Sequence, residues 1–270
     1  MNFQSISYEV REGVATITLT RPDARNAVNS VMSRELPSVW KHFEHDDEAI
    51  VAIVTGAGEK AFCTGADLAD LPMTDGEGSH GSVKSIAWTS LQNNVWKPVI
   101  CAVNGMTVGG GLHFVADSDV IIAADTATFF DTHVKVGLVA GLEPVSLARK
   151  MPMEAVLRMM LVGGNERMSA TRALELGMVG EVVPQAQLMT RARELADMIK
   201  SNSPAAMART KQAIWRGADS GLNEAMAQAW ALIMQQNDHP DLEEGGRAFL
   251  EKRLPSWRAY SELNEGERDT

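Results

Sequence analysis

The stretch Ala102-Val103-Asn104-Gly105-Met106-Thr107-Val108-Gly109-Gly110-Gly111-Leu112-His113 organises this chain. The apolar run from Val99 to Val103 that leads into it predicts a buried strand. Asn104-Gly105 breaks that strand. Three consecutive glycines then precede Leu112-His113-Phe114-Val115-Ala116, a helical pattern. A strand, a turn and bare glycine at a helix start let a ligand approach backbone N–H groups at the positive helix end. Acyl chemistry needs such donors, because a thioester or ester oxygen gains negative charge on the way to an enolate or tetrahedral species. Three glycines before a helix also fit a tight packing turn.

A second junction repeats the pattern. Ile50 to Val54 is another apolar run, closed by Thr55-Gly56-Ala57-Gly58 and followed by Lys60-Ala61-Phe62-Cys63-Thr64-Gly65-Ala66-Asp67-Leu68. Together, A-F-x-x-G-A-D-L and N-G-x-x-x-G-G-G resemble the paired junctions of the enoyl-CoA hydratase/isomerase (crotonase) family. The resemblance runs from Thr20-Arg21-Pro22 with Asn26-Ala27 to Ala248-Phe249-Leu250-Glu251-Lys252-Arg253. Each motif alone is weak; four in order are specific. The resemblance implies an oxyanion hole for a CoA thioester, built from the backbone N–H groups of Ala66 and Gly110. It also implies an α/β fold, a ββα spiral core over residues 1–200, and a helical region over 201–270 for oligomerisation and closure over CoA. Trimers that pair into hexamers are the implied assembly.

Composition bounds the rest. A chain of 270 residues buries a substantial core. A net charge of −10 argues against bulk attraction to nucleic acid or anionic membrane, so ligand phosphates must meet local cations. The two cysteines, Cys63 and Cys101, show no metal spacing and fit a reducing compartment. The N-terminus lacks a signal-peptide pattern and no apolar run approaches the roughly 20 residues of a membrane span, so a cytoplasmic location is expected.

Along the chain, Ile6–Val10 and Val14–Leu19 predict a hairpin. A helix capped by Asn29 or Ser30 runs to about Glu44, with Pro37 expected to kink it or delay its start. Residues 72–83 read as a mobile loop beside the site, followed by a helix to Trp96. Strands at 119–124 and 126–130 come next. Beyond Gly141 the pattern is helical: Glu143–Lys150, Met153–Leu161, Ser169–Leu176, Gln185–Lys200, Pro204–Arg216, Gly221–Asn237 and Glu243–Arg253. A short return strand lies near Val179–Pro184.

Hydratases of the family carry two catalytic glutamates, one three residues after the oxyanion glycine and one shortly after the next strand pair. Here those positions hold His113 and His133. Two imidazoles titrating near pH 6.5 can still divide acid and base work. A place near the positive end of the central helix favours a neutral His113, the candidate base. His133 is then the acid or the water-holder. Asp131, two residues away on an extended segment, or Glu143, opening the next helix, could orient an imidazole. Cys63 reads as a packing residue, and His42, His45, His80 and His239 receive no role.

By resemblance, Arg25 and Ala27 meet the upper part of CoA, and Thr64, Ala66, Asp67 and Leu68 meet its adenine–pantetheine bend. Lys252 matches a lysine that reaches the nucleotide phosphates. No tightly bound cofactor is expected; CoA enters as part of the substrate. Three readings follow. One is a CoA-thioester enzyme of the hydratase/isomerase type, another a hydrolase cleaving a C–C bond of a β-ketoacyl substrate, and the third a crotonase-fold subunit without catalysis.

Overall fold

In this computed structural model, residues 3–71 and 86–260 are described; the expected loop at 72–83 lies outside them. The chain opens with an antiparallel hairpin, β1 (Ile6–Arg11) on β2 (Val14–Leu19). Its two-residue turn has Glu12 and Gly13 at positive φ, the twist that right-handed strands need. A helix, α1 (Ser30–His45), follows, capped by the Asn29 side chain, which accepts from the Met32 N–H.

Pro37 does not delay the start of α1, which begins at Ser30 and runs on through it. Met32, Leu36, Val39, Trp40 and Phe43 recur on one face and are fully buried or nearly so. Burying five large apolar side chains, at about 1.5–3 kcal/mol each, outweighs the roughly 3 kcal/mol of a mid-helix proline.

The chain then alternates between two sheets. β3 (Val51–Gly56), β5 (Val99–Val103) and β7 (Val120–Ala124) extend the hairpin in parallel. β4 (Ala61–Cys63), β6 (Met106–Val108) and β8 (Thr128–Phe130) form a second parallel run. Each turn of the spiral thus gives one strand to each sheet. β9 (Met168–Ser169) joins the second sheet antiparallel to β8, and β10 (Glu181–Val183) closes the first beside β7.

Strand alternation sorts side chains between two cores. Val51, Ile53, Ile100, Ala102, Ile122 and Ala124 face α6 (Leu188–Lys200), meeting Leu188, Ala192 and Ala196. Ala52, Val54, Val99, Cys101, Val103, Ile121 and Ala123 point to the main core with α1. That two-sided burial explains the unbroken apolar runs.

The remaining helices are α2 (Leu112–Asp117), α3 (Leu142–Leu147), α4 (Met153–Val162), α5 (Ala170–Glu175), α7 (Pro204–Gly217), α8 (Leu222–Asn237) and α9 (Pro240–Glu251). Ser169 caps α5, and Pro204 sits in the first turn of α7, as expected. The last helix starts earlier than expected, because Pro240 opens it and His239 caps it by accepting from the Asp241 N–H.

The helix expected before Trp96 is only a 3-10 turn, Leu91–Asn93. Side chains there compete for the backbone. Gln92 Oε1 accepts from the N–H groups of Trp88 and Thr89, and Asn93 donates to Ala87 and Thr89 carbonyls. Asn94 then leaves in the left-handed region. No helix among the described residues is long and apolar enough to cross a membrane.

Candidate active site

The central junction holds one strand more than its sequence suggested. After Asn104-Gly105 the chain runs through β6 before reaching the glycines, which form a 3-10 turn leading straight into the six-residue α2. Asn104 fixes the bend: its Oδ1 accepts from the Gly56 N–H at 3.1 Å and its Nδ2 donates to the Gly58 carbonyl at 2.7 Å. At the end of the turn the Leu112 N–H donates to the carbonyls of Gly109 and Gly110.

The two junctions meet at distances only glycine permits. Gly65 has φ +79°, and a Cβ built on it would lie 2.8 Å from the Gly110 nitrogen and 2.9 Å from the Val108 carbonyl oxygen. A Cβ on Gly111 would lie 2.3 Å from the Cys63 carbonyl oxygen. Next to Gly65, Ala66 forms an isolated parallel bridge with Val28. The Val28 N–H donates to the Gly65 carbonyl at 2.8 Å, and the Asp67 N–H donates to the Val28 carbonyl at 2.9 Å. In that geometry the N–H of Ala66 itself faces away from Val28.

Above the glycines the two histidines share a carboxylate. Glu143, in the first turn of α3, places Oε1 3.2 Å from His113 Nε2 and 3.9 Å from His133 Nε2. His113 and Glu143 are 3% and 4% exposed. Burial, the largest influence on Glu143, pushes its carboxyl up. Hydrogen bonding and charge from His113, with a further contribution from His133, more than reverse this and hold it below the usual carboxylate range.

His133 has its own carboxylate. Asp131, fully buried, accepts from the His133 N–H at 2.8 Å through Oδ1 and meets His133 Nδ1 at 2.7 Å through Oδ2. The segment is therefore not extended, as its sequence suggested; Asp131 folds it into a side-chain-capped turn ahead of the 3-10 turn Val134–Val136. Its hydrogen bond to the Asp131 carboxylate is the main reason the His133 value lies above the ordinary histidine range; burial opposes this and the charge of Glu143 adds to it. The ring lies over the glycines: a Cβ on Gly109 would be 3.4 Å from His133 Cε1.

Trp88, which the sequence did not single out, completes the wall. Its indole packs edge-on to His113 with ring centroids 6.0 Å apart. A Cβ on Gly110 would lie 2.8 Å from its Cζ3. Trp88 Nε1 donates to Ser33 Oγ at 3.0 Å, and its carbonyl accepts from Trp40 Nε1 at 2.7 Å, so α1 anchors the ring.

The residues expected at CoA lie along the first junction. Arg25 is exposed with φ +54°, and its carbonyl accepts from Thr64 Oγ1 at 3.3 Å. Ala27 is buried, with its carbonyl taken by Arg21. Leu68 is exposed. Asp67 has both carboxylate oxygens engaged, one by Arg21 and one by the Ala69 N–H. Lys252 ends α9, exposed and left-handed. Burial pushes the Cys63 thiol up to about 12, against a smaller lowering from the Gly65 N–H, which fits packing and not nucleophilic attack.

A spiral of paired strands whose two glycine junctions meet beside a pair of histidines is a crotonase-type fold. The chain belongs to the enoyl-CoA hydratase/isomerase family, whose model matches residues 9–260. It is 36% identical to the (E)-benzylidenesuccinyl-CoA hydratase of Thauera aromatica, over 94% of this chain and 98% of that protein. It is 33% identical to the short-chain-enoyl-CoA hydratase of Clostridium acetobutylicum, over 94% and 97%. The crystal structure of an enoyl-CoA hydratase/isomerase from Mycobacterium paratuberculosis superposes with a TM-score of 0.89, at 41% identity over 95% of this chain and 99% of that one.

Proposed function

We propose that this protein is an acyl-CoA thioester enzyme of the enoyl-CoA hydratase/isomerase type. In this reading the N–H groups of Ala66 and Gly110 hold the thioester oxygen as it becomes an enolate, and the two imidazoles move the protons. The observation that carries it is the contact of one carboxylate, Glu143, with both His113 and His133, directly over the glycine turn. Ionised Glu143 accepts from Nε2–H of His113, which leaves Nδ1 as the basic nitrogen that takes a proton from water. The resulting hydroxide adds to the β carbon of a 2-enoyl thioester. His133, kept protonated by Asp131, returns a proton to the α carbon. The family relatives named above act on CoA thioesters, which supports the substrate class.

The 2.7 Å contact between Asp131 and His133 favours a second reading. A carboxylate–imidazole pair suits activation of water for attack on a β-keto carbonyl. Cleavage of the C–C bond would then release a carboxylate and leave an enolate in the same hole. A non-catalytic role is disfavoured, because neither imidazole is bound only to backbone. Homotrimer or homohexamer assembly is part of the proposal, supported by the row Leu222, Met226, Trp230 and Ile233 exposed on α8.

Incubation with crotonyl-CoA and with a cyclic β-ketoacyl-CoA in oxygen-labelled water, read by mass, tests these readings. Label in a hydroxyacyl thioester is expected. Label in a new carboxylate establishes the second reading, and no product from either substrate overturns the first.

A further inference from the structure

We propose that Arg21 is a positioning residue that sets the direction of the Ala66 N–H. The inference rests on the oxyanion-hole reading above. Ala66 is not in a helix or a regular strand; its neighbours Gly65 and Asp67 are tied to Val28 by one backbone hydrogen bond each. The Gly65 carbonyl that accepts from Val28 lies in the same peptide plane as the Ala66 N–H, so the direction of that N–H follows from how firmly the Ala27–Val28 peptide is held.

The guanidinium of Arg21 closes this ladder. Nη1 donates to the Ala27 carbonyl at 2.5 Å, and Nη2 donates to Asp67 Oδ2 at 2.9 Å. One rigid fork thus bridges both sides of the bridge, immediately beyond Ala66. The other Asp67 oxygen accepts from the Ala69 N–H at 3.0 Å, which fixes the carboxylate that Arg21 grips. The pair is largely shielded, with 24% and 16% of the side chains exposed. Hydrogen bonding to Arg21 is the main reason the Asp67 carboxyl lies below its ordinary range.

Arg21 is itself held. Its N–H donates to Asn26 Oδ1 at 3.1 Å, and Asn26, fully buried at positive φ, donates to the carbonyls of Ala57 and Ala61 at 3.0 Å each. The fork is therefore referenced to the strand that carries the first junction. A hydrogen bond to a developing oxyanion weakens steeply when its donor turns away, so the consequence falls on turnover more than on ground-state binding.

The test uses the full-length protein and crotonyl-CoA carrying a heavy isotope at the thioester carbon, with the carbonyl stretch of the bound ligand read by infrared difference spectroscopy. The wild-type band is expected at lower frequency than in water. Arg21→Gln should lose much of that shift and lower kcat about tenfold, a fraction of the 10²–10³ typical of deleting an oxyanion donor, while KM stays within about twofold. Arg21→Lys should fall between, since it keeps charge without the fork. Asp67→Asn breaks the same bridge from the other side and carries the test where Arg21→Gln does not fold. A wild-type shift and wild-type kcat in both variants overturn the inference alone. An unshifted band in the wild type overturns the oxyanion-hole reading and this inference with it.

Discussion

Glu143 Oε1 lies 3.2 Å from His113 Nε2, with both side chains buried. Removing one partner of such a pair leaves a buried polar group unmatched. Glu143→Gln keeps the shape but withdraws the acceptor charge from Nε2–H, so the ring loses its fixed tautomer. Steady-state kinetics should show kcat reduced by about 10²-fold, the usual size of a general-base contribution, with KM changed little. Turnover at the wild-type rate would remove His113 from the base role.

Asp131 sets the charge of His133, and the sign of its effect is fixed. The carboxylate favours the protonated ring, so the pairing is fully stabilising below the unbound value of about 6.5 and is lost as pH rises through the raised folded-state value. Asp131→Asn lowers that value. The alkaline limb of the rate profile should move to lower pH, and nuclear magnetic resonance titration of the His133 ring should move the same way. A ring titration that stays in place excludes Asp131 as the cause.

The parts of the fold legible in the sequence were those written in local pattern. Val99–Val103 reads as buried because both of its faces are covered, and Ser169 and Pro204 mark helix starts through their own chemistry. The pairing of the two glycine junctions was legible from motif resemblance, since φ +79° at Gly65 restricts the residue type. What local pattern missed was set at a distance. Pro37 is carried by an apolar face that no five-residue window contains. The segment before Trp96 looked helical, yet Gln92 and Asn93 redirect its backbone bonds. Trp88 has no periodic link to His113, 25 residues later in the sequence, and Arg21 lies 46 residues from Asp67. Asp131 and Glu143 were visible as candidates, but which imidazole each would meet depended on how α3 packs.

Gly65 gives a test of the convergence of the junctions. Alanine there would adopt a left-handed φ and press its Cβ to 2.8 Å from the Gly110 nitrogen. The strain of φ alone costs on the order of 1–3 kcal/mol, and relief of the clash would have to separate the junctions. Gly65→Ala should lower the melting temperature and nearly abolish turnover, whereas Gly221→Ala, with nothing near its Cβ, should do neither. Unchanged activity in Gly65→Ala would mean that the two backbones need not touch.

Trp88 separates packing from catalysis at the same site. Its ring fills the space between Gly110 and His113 and is only 5% exposed. Trp88→Ala should destabilise the fold by about 3–5 kcal/mol through the cavity it leaves. Trp88→Phe keeps an aromatic edge for His113 but loses the bond to Ser33 Oγ, a net contribution of about 1 kcal/mol. If the indole serves mainly to hold the imidazole upright, the phenylalanine variant should retain most of kcat while chemical denaturation shows the smaller stability loss. If instead kcat falls as far in Trp88→Phe as in Trp88→Ala, the anchor to α1, and not the ring packed edge-on to His113, governs the geometry over the glycine turn.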